Sequence, residues 1–167
     1  MGTEFNADDI FEMAEQIERN GAAFYRGAAE KVDDAAAKEL LLTFAGMEDQ
    51  HEKTFAAFRA ELTEKEKEST VFDPEDESIR YLHALADLRV FSGKSAPDGE
   101  ATQDQTQKEI MEDIFSTAIQ AEKESIVFYV GMKDLVPEKL GKSRLDAIIK
   151  EEMNHIRILT RELSKIR

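Results

Sequence analysis

Leu41-Leu42-Thr43-Phe44-Ala45-Gly46-Met47-Glu48-Asp49-Gln50-His51-Glu52-Lys53-Thr54-Phe55 carries a helical apolar stripe interrupted at its centre by two ionisable residues. The positions spaced by three and four read Leu41, Phe44, Glu48, His51, Phe55, Phe58, Leu62, which is the face a helix turns toward a core. The same pattern recurs 104 positions later as Leu145, Ile148, Glu152, His155, Leu159, Leu163, Ile166, with Glu162 standing at the counterpart of Phe58. The two stripes upstream also match. Phe11, Ala14, Glu18, Gly21, Tyr25, Ala28, Val32 stands against Phe115, Ala118, Glu122, Ser125, Tyr129, Met132, Val136. Four Glu and two His are thereby directed into one core. An isolated buried carboxylate costs several kcal/mol, so such groups must be protonated, paired or bound to cations.

The 167 residues suit one domain able to bury its own core. The formal charge of −14, from 36 acidic against 22 basic residues, disfavours nucleic acid and anionic membranes as partners and favours cations. The absence of Cys excludes disulfides, thiolate zinc sites and rubredoxin-type iron, and no haem or flavin is expected. Residues 1 to 9 lack a basic segment followed by an apolar one, and no run is long enough to span a bilayer. A cytoplasmic location is the expectation.

Helix formers dominate, Pro occurs only at 74, 97 and 137, and no segment alternates like a strand, so an all-α fold is predicted. A first helix is expected from about Asn6, as N-cap, to Lys31, and a second from Asp33 or Asp34 to Lys67. A third is expected from Thr106 to Leu135 and a fourth from Pro137 to Lys165. The two hairpins, about 6–67 and 106–165, leave a connection of about 68–105 that is too long for a turn and reads as a crossover. Within it, Pro74 to Phe91 patterns as a short amphipathic helix and Ser92 to Gly99 as loop.

Spacing supplies a second indication of a site. Glu18 and Glu48 are 30 residues apart about Asp33, at the first turn; Glu122 and Glu152 are 30 apart about Pro137, at the second. A helix descending roughly 22 Å from Glu18 to the turn brings the antiparallel return back to the same height at Glu48. If the crossover makes the second and third helices parallel, the halves are related by a pseudo-twofold axis and all six groups converge at mid-bundle. Each Glu-x-x-His sets carboxylate and imidazole one turn apart on one face. Four carboxylates with two imidazoles favour iron and manganese over zinc, and the lack of sulfur argues against copper(I). One Glu from each of two helices and Glu-x-x-His from the other two is the ligand pattern of ferritin-like di-iron and di-manganese bundles. By match to that pattern, Glu18 and Glu122 are terminal ligands, Glu48 and Glu152 bridges, and His51 and His155 cap one ion each, about 3.5 to 4 Å apart.

Glu18-Arg-Asn-Gly-Ala-Ala-Phe24-Tyr25, Glu48-Asp-Gln-His51, Glu122-Lys-Glu-Ser-Ile-Val-Phe128-Tyr129 and Glu152-Met-Asn-His155 stand in the order seen in the rubrerythrin-type di-iron domain of the ferritin-like superfamily, which the chain resembles over both hairpins. The resemblance implies a ferritin-like four-helix bundle with two irons. It also implies reduction of peroxide or dioxygen or oxidation of ferrous iron, and a homodimer. Two departures are visible. Rubrerythrins proper carry an extra carboxylate one turn after the third-helix Glu, where this chain has Ser125. They also carry a Cys-ligated module that delivers electrons, so a chain without Cys needs an external electron-donor protein.

Other residues have plainer readings. Tyr25 and Tyr129 follow Glu18 and Glu122 by seven positions; core packing with a satisfied hydroxyl outweighs hydrogen bonding to a ligand or radical chemistry. Phe24 and Phe128 read as core, and His83, with Arg80 three positions before it, as non-functional. The Glu- and Lys-rich run from Glu61 to Glu68 reads as a solvated helix end. Three functions compete: a di-iron oxidoreductase consuming peroxide or dioxygen, an iron carrier or ferroxidase without turnover, and a metal-free structural bundle with Glu and His paired in its core.

Overall fold

The computed structural model describes residues 6–68, 106–133, 135–136, 139 and 142–167, and every extended element among them is helical. The elements are α1 (Ala7–Lys31), α2 (Ala35–Ala60), the short α3 (Glu64–Glu68), α4 (Gln107–Met132) and α5 (Lys142–Ile166). The predicted crossover, with its Pro74 to Phe91 helix, the Ser92 to Gly99 loop and His83, lies outside the described residues.

The helix starts follow from capping chemistry. Asn6 accepts from the Asp9 amide while Asp9 accepts from the Asn6 amide, each at 3.0 Å, which closes a capping box on α1. Asp34 caps α2 through the Ala37 amide at 2.7 Å. Thr106 and Glu109 form a second box on α4. The Gln107 side chain then ties the start of α4 to the first turn, accepting from the Asp33 amide at 3.0 Å and donating to the Lys31 carbonyl at 3.4 Å.

Three boundaries differ from the sequence reading. The second helix stops at Ala60 instead of continuing to Lys67, because Leu62 turns into the core and Thr63 opens a new helix. The Thr63 amide and hydroxyl both donate to Glu66, at 2.8 and 2.6 Å, which satisfies groups that a continuous helix would have used differently. The third helix ends at Met132, not Leu135; the amides of Leu135 and Val136 fold back onto the Met132 carbonyl at 2.9 and 3.1 Å. In the fourth, α5 begins at Lys142, and the start expected at Pro137 falls on a residue that is not described.

Cross-helix contacts fix the directions. Arg59 holds Asp8 with two bonds of 2.8 Å and Arg19 holds Glu52 at 2.6 Å, so α1 and α2 are antiparallel. Tyr25 meets Glu122 while Tyr129 meets Glu18, so α1 and α4 are antiparallel. Arg144 pairs with Glu61 and Glu151 with His51, so α2 and α5 are antiparallel as well. The second and third long helices, α2 and α4, therefore run parallel, as a pseudo-twofold arrangement of the two hairpins requires. The stripes named above line the core, with Phe11, Leu41, Phe44, Phe55, Phe115, Met132 and Leu159 essentially inaccessible to solvent, and Ile114 and Phe128 beside them are equally buried.

Phe55 touches Phe58 and Tyr129 at ring-centroid distances of 6.0 and 5.1 Å, at the junction of α2 and α4. Phe55→Ala is expected to destabilise the protein by about 3–5 kcal/mol through lost burial and a cavity. Val130→Ala, at an exposed site on α4, should stay within about 0.5 kcal/mol. Urea unfolding followed by helical circular dichroism separates the two; equal midpoints would contradict this core.

Candidate metal centre

Glu18 on α1, Glu48 and His51 on α2, Glu122 on α4, and Glu152 and His155 on α5 are brought together at mid-bundle, each no more than 3 % exposed. Their potential donor atoms fall into two overlapping groups. One comprises Glu18, Glu48, His51 and Glu152, the other Glu48, Glu122, Glu152 and His155, with donors inside each group within 4.8 Å of one another. Glu48 and Glu152 belong to both groups, the shared position expected of bridging carboxylates. Glu18 and Glu122 each belong to one.

The two shared carboxylates divide their oxygens between the imidazoles. Glu152 places Oε1 2.9 Å from Nδ1 of His51 and Oε2 2.9 Å from Nδ1 of His155. Glu48 places Oε2 and Oε1 at 3.4 Å from the same two nitrogens. The terminal acids complete each side, Glu18 at 3.6 Å from His51 and Glu122 at 3.3 Å from His155. The rings lie 6.0 Å apart between centroids and are nearly parallel.

Despite this proximity, both Nδ1 atoms, both oxygens of Glu152 and Oε1 of Glu48 have no hydrogen-bond partner among the described residues. Buried polar atoms are rarely left so. Two donors on one small divalent ion, each at about 2.1 Å and at right angles, lie about 3 Å apart. The nitrogen–oxygen separations of 2.9 to 3.6 Å match that spacing. The residues fit a pair of hard or borderline cations.

The tyrosines lock the outer acids. Tyr25 donates its hydroxyl to Glu122 and Tyr129 donates to Glu18, each reaching from one hairpin to the other. Burial first, and the neighbouring Glu122 or Glu18 charge second, push both phenols up, so they remain protonated donors. Packing and ligand hydrogen bonding, weighed against each other from sequence, prove to be one arrangement: the acceptor that satisfies each hydroxyl is a candidate ligand. Phe24 and Phe128 are core, as expected. Ser125, where rubrerythrins carry their extra acid, is buried and donates to the Ala121 carbonyl at 3.2 Å.

Two acids escaped the sequence reading. Glu151 places Oε2 2.8 Å from Nε2 of His51, although its side chain is 53 % exposed. Its position within the charged Lys150-Glu151-Glu152 run offered no signal, because only the α2–α5 register brings it there. Glu15 is buried beside Arg19 at 2.9 Å and Arg59 at 3.6 Å, which anchor the α1–α2 face.

No family model and no curated protein matches the chain. Among solved structures it is similar to a provisionally assigned ferritin-like diiron-carboxylate protein of Thermotoga maritima, with a TM-score of 0.69, 21 % identity and full coverage of both chains. At this identity the likeness establishes the fold, a ferritin-like helical bundle. Among the described residues no helix is long and apolar enough to cross a membrane.

Without cations the cluster must hold protons. Burial, reinforced by Glu48 and Glu152, pushes the Glu18 carboxyl well up, and burial with Glu152 and Glu48 does the same for Glu122. Burial opposes a charge on His155, but Glu122, Glu152 and Glu48 outweigh it and push the imidazole up to about 12; His51 is raised in the same way. Glu152, also opposed by burial, is held down at about 2 by the two imidazolium groups. The raised groups bind protons more tightly folded than unfolded, so the stability they contribute grows as pH falls. For the histidines it is complete below the ordinary 6.5, and for Glu18 and Glu122 below the ordinary 4.5. The Glu152 contribution is present above 4.5 and is lost as pH falls toward 2. Metal-free protein is expected to gain stability from pH ~8 to ~5 and to lose it below ~4.5. Metal-loaded protein should show the opposite slope over the upper range as protons displace ligands. Thermal melts of chelator-treated and loaded samples across this range check the signs; a metal-free form that weakens steadily below pH ~7 would contradict the cluster.

Proposed function

We propose that the chain is a di-iron oxidoreductase that reduces peroxide or dioxygen, with Glu18, Glu48, His51, Glu122, Glu152 and His155 as ligands of two irons. The observation that carries this reading is the shared pair of carboxylates, each offering one oxygen toward each imidazole while five of the six converging nitrogen and oxygen atoms lack a hydrogen-bond partner among the described residues. The neighbour's description as a diiron-carboxylate protein supports the choice of iron, and the donor set suits manganese equally. When bound, the metal pair supplies the electrons that reduce the oxidant.

The chain's own residues hold and shape that centre. Glu48 and Glu152 fix the spacing of the two positions, and Glu18 with His51 and Glu122 with His155 close them. Tyr25 and Tyr129 hold the terminal carboxylates in place, each by a hydroxyl that is itself a potential proton source. Phe44, 4.7 Å from the His155 ring, and Phe55 against Tyr129 exclude water on their sides. With no Cys in the chain, electrons come from a separate donor protein.

One observation favours a second reading, iron oxidation or carriage without peroxide turnover. The Ser125 hydroxyl is engaged by the Ala121 carbonyl, so the position of the extra rubrerythrin acid supplies no spare carboxylate for redox-linked iron movement.

Metal analysis after anaerobic Fe(II) loading and desalting is expected to find about two irons per chain. Glu48→Ala and His155→Ala should each lower that number while helix content is retained. Full loading in both variants would overturn the ligand assignment. Repeated peroxide consumption with added reductant supports the oxidoreductase, whereas consumption that stops after one equivalent selects the ferroxidase or carrier.

A further inference from the structure

The two halves of the centre are not equivalent. On one side, Glu151 stands 2.8 Å from Nε2 of His51. An ionised carboxylate only accepts, so this contact holds a proton on Nε2, and the nitrogen left to give up its proton to an arriving cation is Nδ1, which faces Glu18, Glu48 and Glu152. On the other side, Nε2 of His155 is buried with no hydrogen-bond partner among the described residues, and the ring packs on Phe44. The 104-residue correspondence places Met47 where Glu151 would have its counterpart, and Met47 packs against the apolar core. His51 thus has a fixed tautomer and a carboxylate strengthening its donor nitrogen. His155 has neither.

We infer that Glu151 is a positioning residue that makes the two metal positions unequal, so that the Glu18–His51 position fills before the Glu122–His155 position. The inference rests on the di-metal reading above. Outer carboxylates on ligating imidazoles contribute about 10–100-fold to metal affinity. His51 should therefore be occupied in excess of His155 by a factor of that order when ions are scarce. Neither the Glu-x-x-His pattern, which is the same in both halves, nor the fold assigns such an order.

The chain contains three histidines, so ring nitrogen–proton NMR of histidine-labelled, chelator-treated full-length protein gives a spectrum that His51→Gln and His155→Gln variants can assign. Cobalt(II) is the probe, added under anaerobic conditions to half an equivalent per chain and then to two. At half an equivalent the paramagnetic shift should appear on His51 about tenfold or more in excess of His155. Glu151→Ala should bring the two occupancies close together, and Glu151→Gln, whose amide oxygen still accepts from Nε2, should retain part of the preference. Met47→Glu, by supplying His155 with the missing carboxylate, should equalise the halves from the other direction. A simple loss of packing would not produce that result. Equal appearance of both histidines in the wild type, or a preference unchanged in Glu151→Ala, would overturn the inference while leaving the di-metal site intact. No shift on either ring at two equivalents would instead overturn the site itself.

Discussion

Mutual repulsion among four buried carboxylates is the constraint to which the rest of the bundle answers. Glu18, Glu48, Glu122 and Glu152 occupy one small buried volume, and among the described residues two imidazoles share it. In such surroundings an uncompensated charge costs several kcal/mol, a large part of the net stability of any domain of this size. The compensation must arrive at that spot, as cations or as protons. Each of the four long helices contributes at least one member, so a one-turn slip of any helix, about 5.4 Å, would strand a charge against hydrocarbon. Bundle register is thereby specified by polar groups in a core whose aliphatic and aromatic residues alone would tolerate repacking.

The pseudo-twofold relation turns this constraint into architecture. Tyr25 reaches Glu122 and Tyr129 reaches Glu18, and each bond is the image of the other under the 104-residue shift. The hairpins are joined at their centre by these two reciprocal, fully buried hydrogen bonds. The symmetry is broken outside that inner set. Glu15 corresponds to Ile119, Phe44 to Ile148, Gly21 to Ser125 and Glu151 to Met47. The inner donors are thus duplicated while their surroundings differ, and chemical differences between the two halves must originate in that outer layer.

What was legible in the sequence follows the same division. The six candidate ligands stood out because a charged residue at the centre of an apolar stripe contradicts its surroundings, and the contradiction occurred at corresponding places in both halves. The N-cap at Asn6 and helix starts at Asp33 or Asp34 and at Thr106 were legible because capping is local, and the structure settles the second on Asp34. The end of α2 was not. Glu61 to Glu68 is rich in helix formers, whereas the break depends on Leu62 finding a place in the core and on a capping box at Thr63 and Glu66. Glu151 was beyond reach for a different reason: its role comes from the register between α2 and α5, and nothing in its own neighbours distinguishes it from a solvated acid. The partners of the tyrosine hydroxyls likewise lie 97 and 111 positions away, in the other hairpin.

Proton and cation compete for one set of atoms. In the metal-free protein the imidazoles are raised and Glu152 is lowered, so an imidazolium–carboxylate pair occupies the place that two cations take on the proposed assignment. Protons also collect on Glu18 and Glu122, whose carboxyls burial drives up. The bundle can therefore remain folded before any ion arrives, with the donors already converged and the tyrosine bonds already made. That differs from small zinc modules, where the metal-free chain is unfolded and binding must also supply the ordering of the backbone. On the proposed assignment an arriving ion would displace protons from an assembled cluster, so its binding would be set against deprotonation more than against folding. The observed separations of 2.9 to 3.6 Å between nitrogen and oxygen donors are what such exchange needs, because they accommodate the charged pair in one state and two donors on a common ion in the other.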